Sequence, residues 1–379
     1  MYIRKILLTS VINSAPVRDN DNYADFYLMF VYLSIFFIVG FFSILLPNRG
    51  VSWLLLILFA AFLLLFAGTR YYVGCDYVGY LLRFERAPLD FSLSNLVGRE
   101  EPGFNGILGF LKFSGYSYSS LLLICSAIYV LCLCRFASLF RSPAVFLVLA
   151  FPVLMVQLGM SGIRQALALG FLVVSLTSFV NSSRVWTAIW ILVAAQFHTS
   201  AVVFLPMSLM AGRHLSTRRL IAAMVILGPA VLFLLQERLD VYSDRYIEQI
   251  HGENSASGAW LRYALVSLPF LFFVFWHREI KVLVPKLYEL LRLFMMITFL
   301  MLPVGLISSV ALHRLVFYVM PVSILALCYV SQVAAMKFRV RPIAHLVPLG
   351  VYGSYIVVWF AFSSKASSCY VPYQTWLLQ

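Results

Sequence analysis

RSPAVFLVLAFPVLMVQLGMSGIRQALALGFLVVSLTSFVNSSR, residues 141–184, decides the fold. Between Arg141 and Arg184 its only charged residue is Arg164. The apolar runs on either side, about 143–158 and 166–180, each have the composition and rough length of a transmembrane helix. A cation between two membrane helices, with no carboxylate nearby in sequence, is costly unless something binds it. Its partner is therefore a residue from another segment or an anionic ligand.

The rest of the chain repeats this pattern. Its 379 residues are 62% hydrophobic and 11% charged, too apolar for a soluble domain and too long for one span. Twelve apolar runs read as spans, at about 24–46, 51–68, 117–137, 143–159, 163–180, 185–197, 199–212, 219–235, 259–276, 290–307, 314–335 and 342–361. The sixth and seventh are short and are broken at QFHTSA (196–201), so they also suit a bent pair dipping to one interface. The expected fold is all-α: one polytopic membrane domain over residues 1–379. The basic start of IRKILLTSVINSA (3–15) is followed by an apolar part short for a signal peptide. No internal repeat or soluble domain is visible.

Charge orients the chain. Taken alternately, one set of loops carries 14 basic residues, from Arg49 and Arg135 to Arg339 and Arg341, against two acidic ones, Glu279 and Glu289. The other set is nearly balanced. Excess Lys and Arg mark cytoplasmic loops, so the balanced set faces outward. The net charge of +13 is thus explained by topology, and no basic stretch interleaved with aromatics suggests nucleic acid.

Once the chain is oriented, the unusual polar residues gather on the outward side. Loop 69–104 holds RYYVGCDYVGY (70–80) and REEPGF (99–104), with Arg70, Asp76, Tyr80 and Glu101. Arg164 and Gln165 open the fifth span, and His198 with Thr199 sits at the break. His313 and Arg314 precede Tyr318. Loop 236–262 mixes both charge signs, and the tail CYVPYQTW (369–376) carries Tyr370 and Tyr373. More ordinary roles exist for each. Arg70, Arg83, Arg86 and Arg99 suit lipid headgroups, Asp76 suits a turn cap, and the tail tyrosines suit interfacial anchors. Of the six cysteines, Cys125, Cys132, Cys134 and Cys328 fall inside helices. Cys75 and Cys369 fall on the outer side, where a disulfide is chemically allowed, though sequence gives no distance between them.

Several arginines with a few carboxylates at an outward membrane surface suit a lipid-linked anion. Arginine forks match phosphate oxygens and stabilise a departing diphosphate. A carboxylate or histidine nearby can take a proton from an attacking sugar hydroxyl. The chain has neither a GxxxxGK[ST] loop nor a HExxH motif.

The ordered set RYYVGCDYVGY, EEPGF, SGIRQAL, QFHTSA, HRLVFY and CYVPY resembles the EpsG-type family, a branch of the Wzy-like O-antigen and exopolysaccharide polymerases. Cys75 stands where that family usually has Thr. The resemblance implies a GT-C-like helical glycosyltransferase of the bacterial inner membrane. It would work on the periplasmic face, moving a growing glycan from undecaprenyl diphosphate to the sugar of a new lipid-linked repeat unit, without metal or cofactor. Arg164, helped by Arg70 and Arg314, would bind the donor diphosphate. His198, Asp76 or Glu101 would orient or deprotonate the acceptor hydroxyl, and the residues leave the choice among them open. Gln165, Tyr80, Tyr318 and Tyr373 would complete the substrate contacts. The implied partners are the lipid-linked oligosaccharide, membrane lipid and a chain-length regulator protein. An O-antigen ligase and a lipid-linked oligosaccharide flippase are the competing classes; ionisable groups at one rim, without repeat symmetry, favour an enzyme.

Overall fold

The computed structural model describes residues 22–45, 49–90, 100–213 and 257–378. Among these the chain is helical, apart from turns and one isolated antiparallel bridge between Arg70 and Thr375. The order is α1 (Asn22–Leu45), α2 (Arg49–Gly68), α3 (Tyr77–Glu85), α4 (Pro102–Phe113), α5 (Tyr118–Ala137), α6 (Pro143–Ala150), α7 (Ile163–Val180) and α8 (Arg184–Ala195). A 3₁₀ arm (Thr199–Met210) follows. The second half holds α9 (Ser257–Phe275), α10 (His277–Leu283), α11 (Pro285–Ile307), α12 (Ser309–Lys337), α13 (Ile343–Phe362) and α14 (Ser364–Tyr370).

Seven of these helices, α2, α5, α7, α9, α11, α12 and α13, are long and apolar enough to cross a membrane. The chain is a multi-pass membrane protein. Its lipid-facing side is legible in burial: Phe41, Ile57, Leu58 and Phe275 are large, apolar and exposed, a placement that suits hydrocarbon and not water. Helix α12 runs through the interior, packed against α9, α11 and α13.

Seven of the twelve expected spans match these long helices. The expected span 24–46 is α1, Asn22–Leu45; residues 143–159, 184–195 and 199–210 form shorter apolar helices, and the expected span 219–235 lies outside the described residues. An α-helix the length of α8 reaches only about 18 Å and the 3₁₀ arm about 24 Å, both short of a ~30 Å core. The two arms pack together and form a hairpin with His198 at its turn. Arg184 Nε ties its base by donating to the carbonyl of Ala211 at 3.0 Å.

Proline reshapes the segment before Arg164. Pro152 has no N–H to donate, and α6 continues as a π-helix over Phe151–Gly159, a local form that relocates backbone hydrogen bonds. Met160 N–H accordingly donates five residues back, to Met155 O at 3.0 Å.

The C-terminal tail is strapped to the end of α2. Tyr71 N–H donates to Gln374 O and Trp376 N–H to Thr69 O. Tyr373 stacks on Phe66 with ring centroids 4.2 Å apart, and its hydroxyl donates to Phe66 O at 2.7 Å. Cys75 and Cys369 are disulfide-bonded, with Cα atoms 4.9 Å apart. Cys75 is thus one half of a cross-link between loop and tail. Gly74 beside it has φ +103°, and a Cβ there would overlap the carbonyl oxygen of Met160. Only glycine fits that crossing of loop and π-helix.

Candidate functional site

The site forms where the first turn of α7, the α8 hairpin turn, the start of α4, helix α3 and the beginning of α12 meet. Arg164 is the second residue of α7. Its Nη1 donates to Glu101 Oε2, forming an ion pair. Its Nε points at the Tyr80 hydroxyl at 3.5 Å, and its guanidinium carbon lies 6.0 Å from that ring. The lone membrane cation of the sequence thus has a partner from another segment. A guanidinium carries five N–H donors, and the Arg164 side chain is 34% exposed, so donor capacity remains on its open side.

Glu101 is 2% exposed. It precedes Pro102 and caps α4 in a left-handed conformation, φ +54°, which costs roughly 1–2 kcal/mol for a residue with a Cβ. The fold holds it there from both sides. Gly103 N–H donates to Gln196 O at 2.9 Å, joining the α4 start to the hairpin, and a Cβ on Gly103 would press on Gln196 and Phe197. This joint brings Glu101 Oε1 to 3.8 Å from His198 Nδ1.

His198 Nδ1 accepts from Ser200 N–H at 3.4 Å and lies 3.1 Å from Ser200 Oγ. Ser200 Oγ is 2.9 Å from the Tyr318 hydroxyl. With Nδ1 accepting, the neutral ring carries its proton on Nε2; when Nδ1 is protonated, Glu101 is the adjacent counter-charge. Gln165 Nε2 donates to Arg314 O at 2.7 Å, locking α7 to α12. Arg83, read from sequence as a headgroup contact, also turns here: its Nη2 donates to Asn105 Oδ1 at 2.9 Å and its guanidinium covers Phe104. Desolvation and the like charge of Arg164 both lower its pKa. Burial raises the Tyr80 phenol, with Arg164 opposing, so Tyr80 remains a neutral hydroxyl.

The expected residues divide by position. Tyr80, Glu101, Arg164, Gln165, His198 and Tyr318 are joined through the side-chain contacts above, and Arg314 through its main-chain carbonyl. Asp76 is exposed at the start of α3, and its charge acts on both Tyr80 and Tyr370. Arg70 and Tyr373 lie elsewhere, in the tail strap. Arg70 is 1% exposed and its Nη1 donates to Ala67 O, while Nε and Nη2 have no partner. It lines a cavity of about 10 Å³ with Cys125, Ser126 and Tyr129, room for about one water molecule. Residues 236–256 of the loop 236–262 lie outside the described residues; Arg262, at its end, is described.

Sequence reading passed over Ser200, Gln157 and the pairing of Arg262 with His313. Gln157, a lone amide in the apolar run 143–159, was a usable signal. The others depend on which helices touch.

A family model described as the EpsG family matches residues 53–375. The match covers every residue of the site. No curated protein and no solved structure matches the chain.

Proposed function

Because the chain belongs to the EpsG family, we propose that it is a polysaccharide polymerase of the bacterial inner membrane, with its site facing the periplasm. Membership of that family points to polymerase-like work at a membrane. The finer reading is transfer of a growing glycan from undecaprenyl diphosphate to a new lipid-linked repeat unit, on a GT-C-like helical scaffold. One observation carries it: Arg164, Glu101 and His198 converge from three separate segments at helix ends that the charge pattern directs outward.

The acceptor hydroxyl oxygen attacks the anomeric carbon of the donor sugar. The bond from that carbon to the diphosphate oxygen breaks, and lipid diphosphate leaves with the electron pair. Arg164, through its open N–H groups, and Arg314 neutralise the charge on the departing oxygens. The hydroxyl proton passes to His198, Asp76 or Glu101. Glu101 also holds Arg164 in place, and Ser200 with Tyr318 holds the His198 ring.

In a strain lacking the gene, the Arg164→Ala protein should give surface glycan of single repeats in place of a ladder on a gel. A full ladder at normal expression would remove Arg164 from the reaction. His198→Ala with normal chain lengths would reduce that residue to a structural one. Single units that reach the surface mark a polymerase defect; units trapped on the cytoplasmic side would mark a flippase.

A further inference from the structure

A second basic group lies beside the first turns of α12. Arg262 on α9 is 9% exposed. Its Nη1 donates to Gln157 Oε1 at 2.9 Å, its Nη2 donates to His313 Nδ1, and its guanidinium covers Phe317 at 5.3 Å. Its Nε has no partner, and among the described residues no carboxylate lies within ion-pair distance of it. Gln157 Oε1 also accepts from the Tyr355 hydroxyl at 3.1 Å, while its Nε2 is buried without a partner.

A guanidinium only donates, so His313 must accept at Nδ1 and carry its proton on Nε2. His313 is half-buried, and exposed Lys365 and half-buried Arg314 act electrostatically on its ring. The group therefore offers N–H donors and positive charge, closed at Arg262 and open at Lys365. A buried cation without a counter-charge is costly in a membrane protein. An acceptor-only anion relieves that cost, and arginine is well matched to phosphate oxygens.

The two basic groups differ in chemistry. The Arg164 group contains a carboxylate and can move protons. Among the described residues the Arg262 group has no carboxylate, and its one imidazole lone pair is already engaged; it suits holding an anion and not reacting with it. The groups also share a turn of α12: His313 faces Arg262, while the carbonyl of its neighbour Arg314 accepts from Gln165 beside Arg164. Transfer between two lipid-linked chains requires two lipid diphosphates side by side. Resting on the polymerase reading above, we propose that Arg262, His313 and Lys365 form a second lipid-diphosphate site. It holds the acceptor lipid while the Arg164 group holds the donor.

The test titrates undecaprenyl diphosphate into the purified full chain in nanodiscs and counts bound equivalents. The wild type should bind two. Lys365→Glu, an exposed change outside the buried network, should weaken one of them about tenfold or more. Arg262→Gln should abolish the same one, and Arg164→Ala should abolish the other. One equivalent in the wild type, lost in Arg164→Ala and kept in Lys365→Glu, would overturn the second site and leave the polymerase reading standing. No binding by the wild type would overturn both. Inorganic pyrophosphate at equal concentration should displace neither equivalent; if it alone empties the Arg262 group, that group binds the free anion and is not an acceptor-lipid site.

Discussion

At Glu101 a left-handed backbone, a buried carboxylate and the Arg164 ion pair coincide. Backbone and charge are separable by substitution. Asn tolerates the left-handed region, so Glu101→Asn should stay folded, with a melting temperature within a few degrees of wild type, and should lose the polymer ladder. An unchanged ladder would show that the carboxylate is dispensable. Arg70 makes the opposite case. Its guanidinium is fully buried with two nitrogens unpartnered, and burial lowers its pKa. Replacing a buried, poorly paired charge by an apolar side chain of similar size is often neutral or stabilising, so Arg70→Met should melt at or above the wild-type temperature. A large fall would mean that its charge has a partner in the folded protein. Sequence made Arg164 stand out because it interrupts an apolar run. It could not show that Arg70 turns inward, since a juxtamembrane arginine reads the same whichever way its side chain points.

The strap between loop and tail is the element on which the site's outer edge depends. Cys75 N–H donates to Ser161 Oγ at 2.8 Å, and Ser161 Oγ lies 2.8 Å from the Tyr370 hydroxyl. Disulfide, loop and α7 entry are thus one joint, three residues from Arg164. Cys75→Ser should lower the melting temperature, and added reductant should lower that of the wild type to match while leaving the variant unmoved. Equal melting curves for all three would show that the cross-link contributes nothing. Gly74→Ala should be harsher, because it combines a positive φ with overlap on Met160 O; retention of wild-type expression and melting would contradict the close crossing. The hairpin break was legible, since QFHTSA interrupts two short apolar runs. The 3₁₀ form of its second arm was not, because apolar composition alone does not distinguish i→i+3 from i→i+4 bonding. The disulfide was legible only as two cysteines on one side.

Across the whole molecule, the seven long apolar helices were readable from hydropathy, while the side of the membrane that the site faces is an expectation drawn from charge alone. Contact between α9 and α12 was not readable, because lipid-facing and buried apolar faces look alike in sequence; the Arg262 group was hidden with it. The topology makes its own prediction. A single cysteine at exposed Lys281, in a protein whose other cysteines remain native, should resist a membrane-impermeant thiol reagent in intact cells, and one at exposed Ser364 should react. The reverse pattern would turn the site inward and end the periplasmic reading. The most direct test of the central claim is reconstitution of the purified protein in liposomes with purified lipid-linked repeat units and no added metal. The wild type should convert single units into a ladder and release one undecaprenyl diphosphate per linkage formed, while Arg164→Ala should leave single units. A ladder from Arg164→Ala equal to that of the wild type, or none from a folded wild type, would contradict the account.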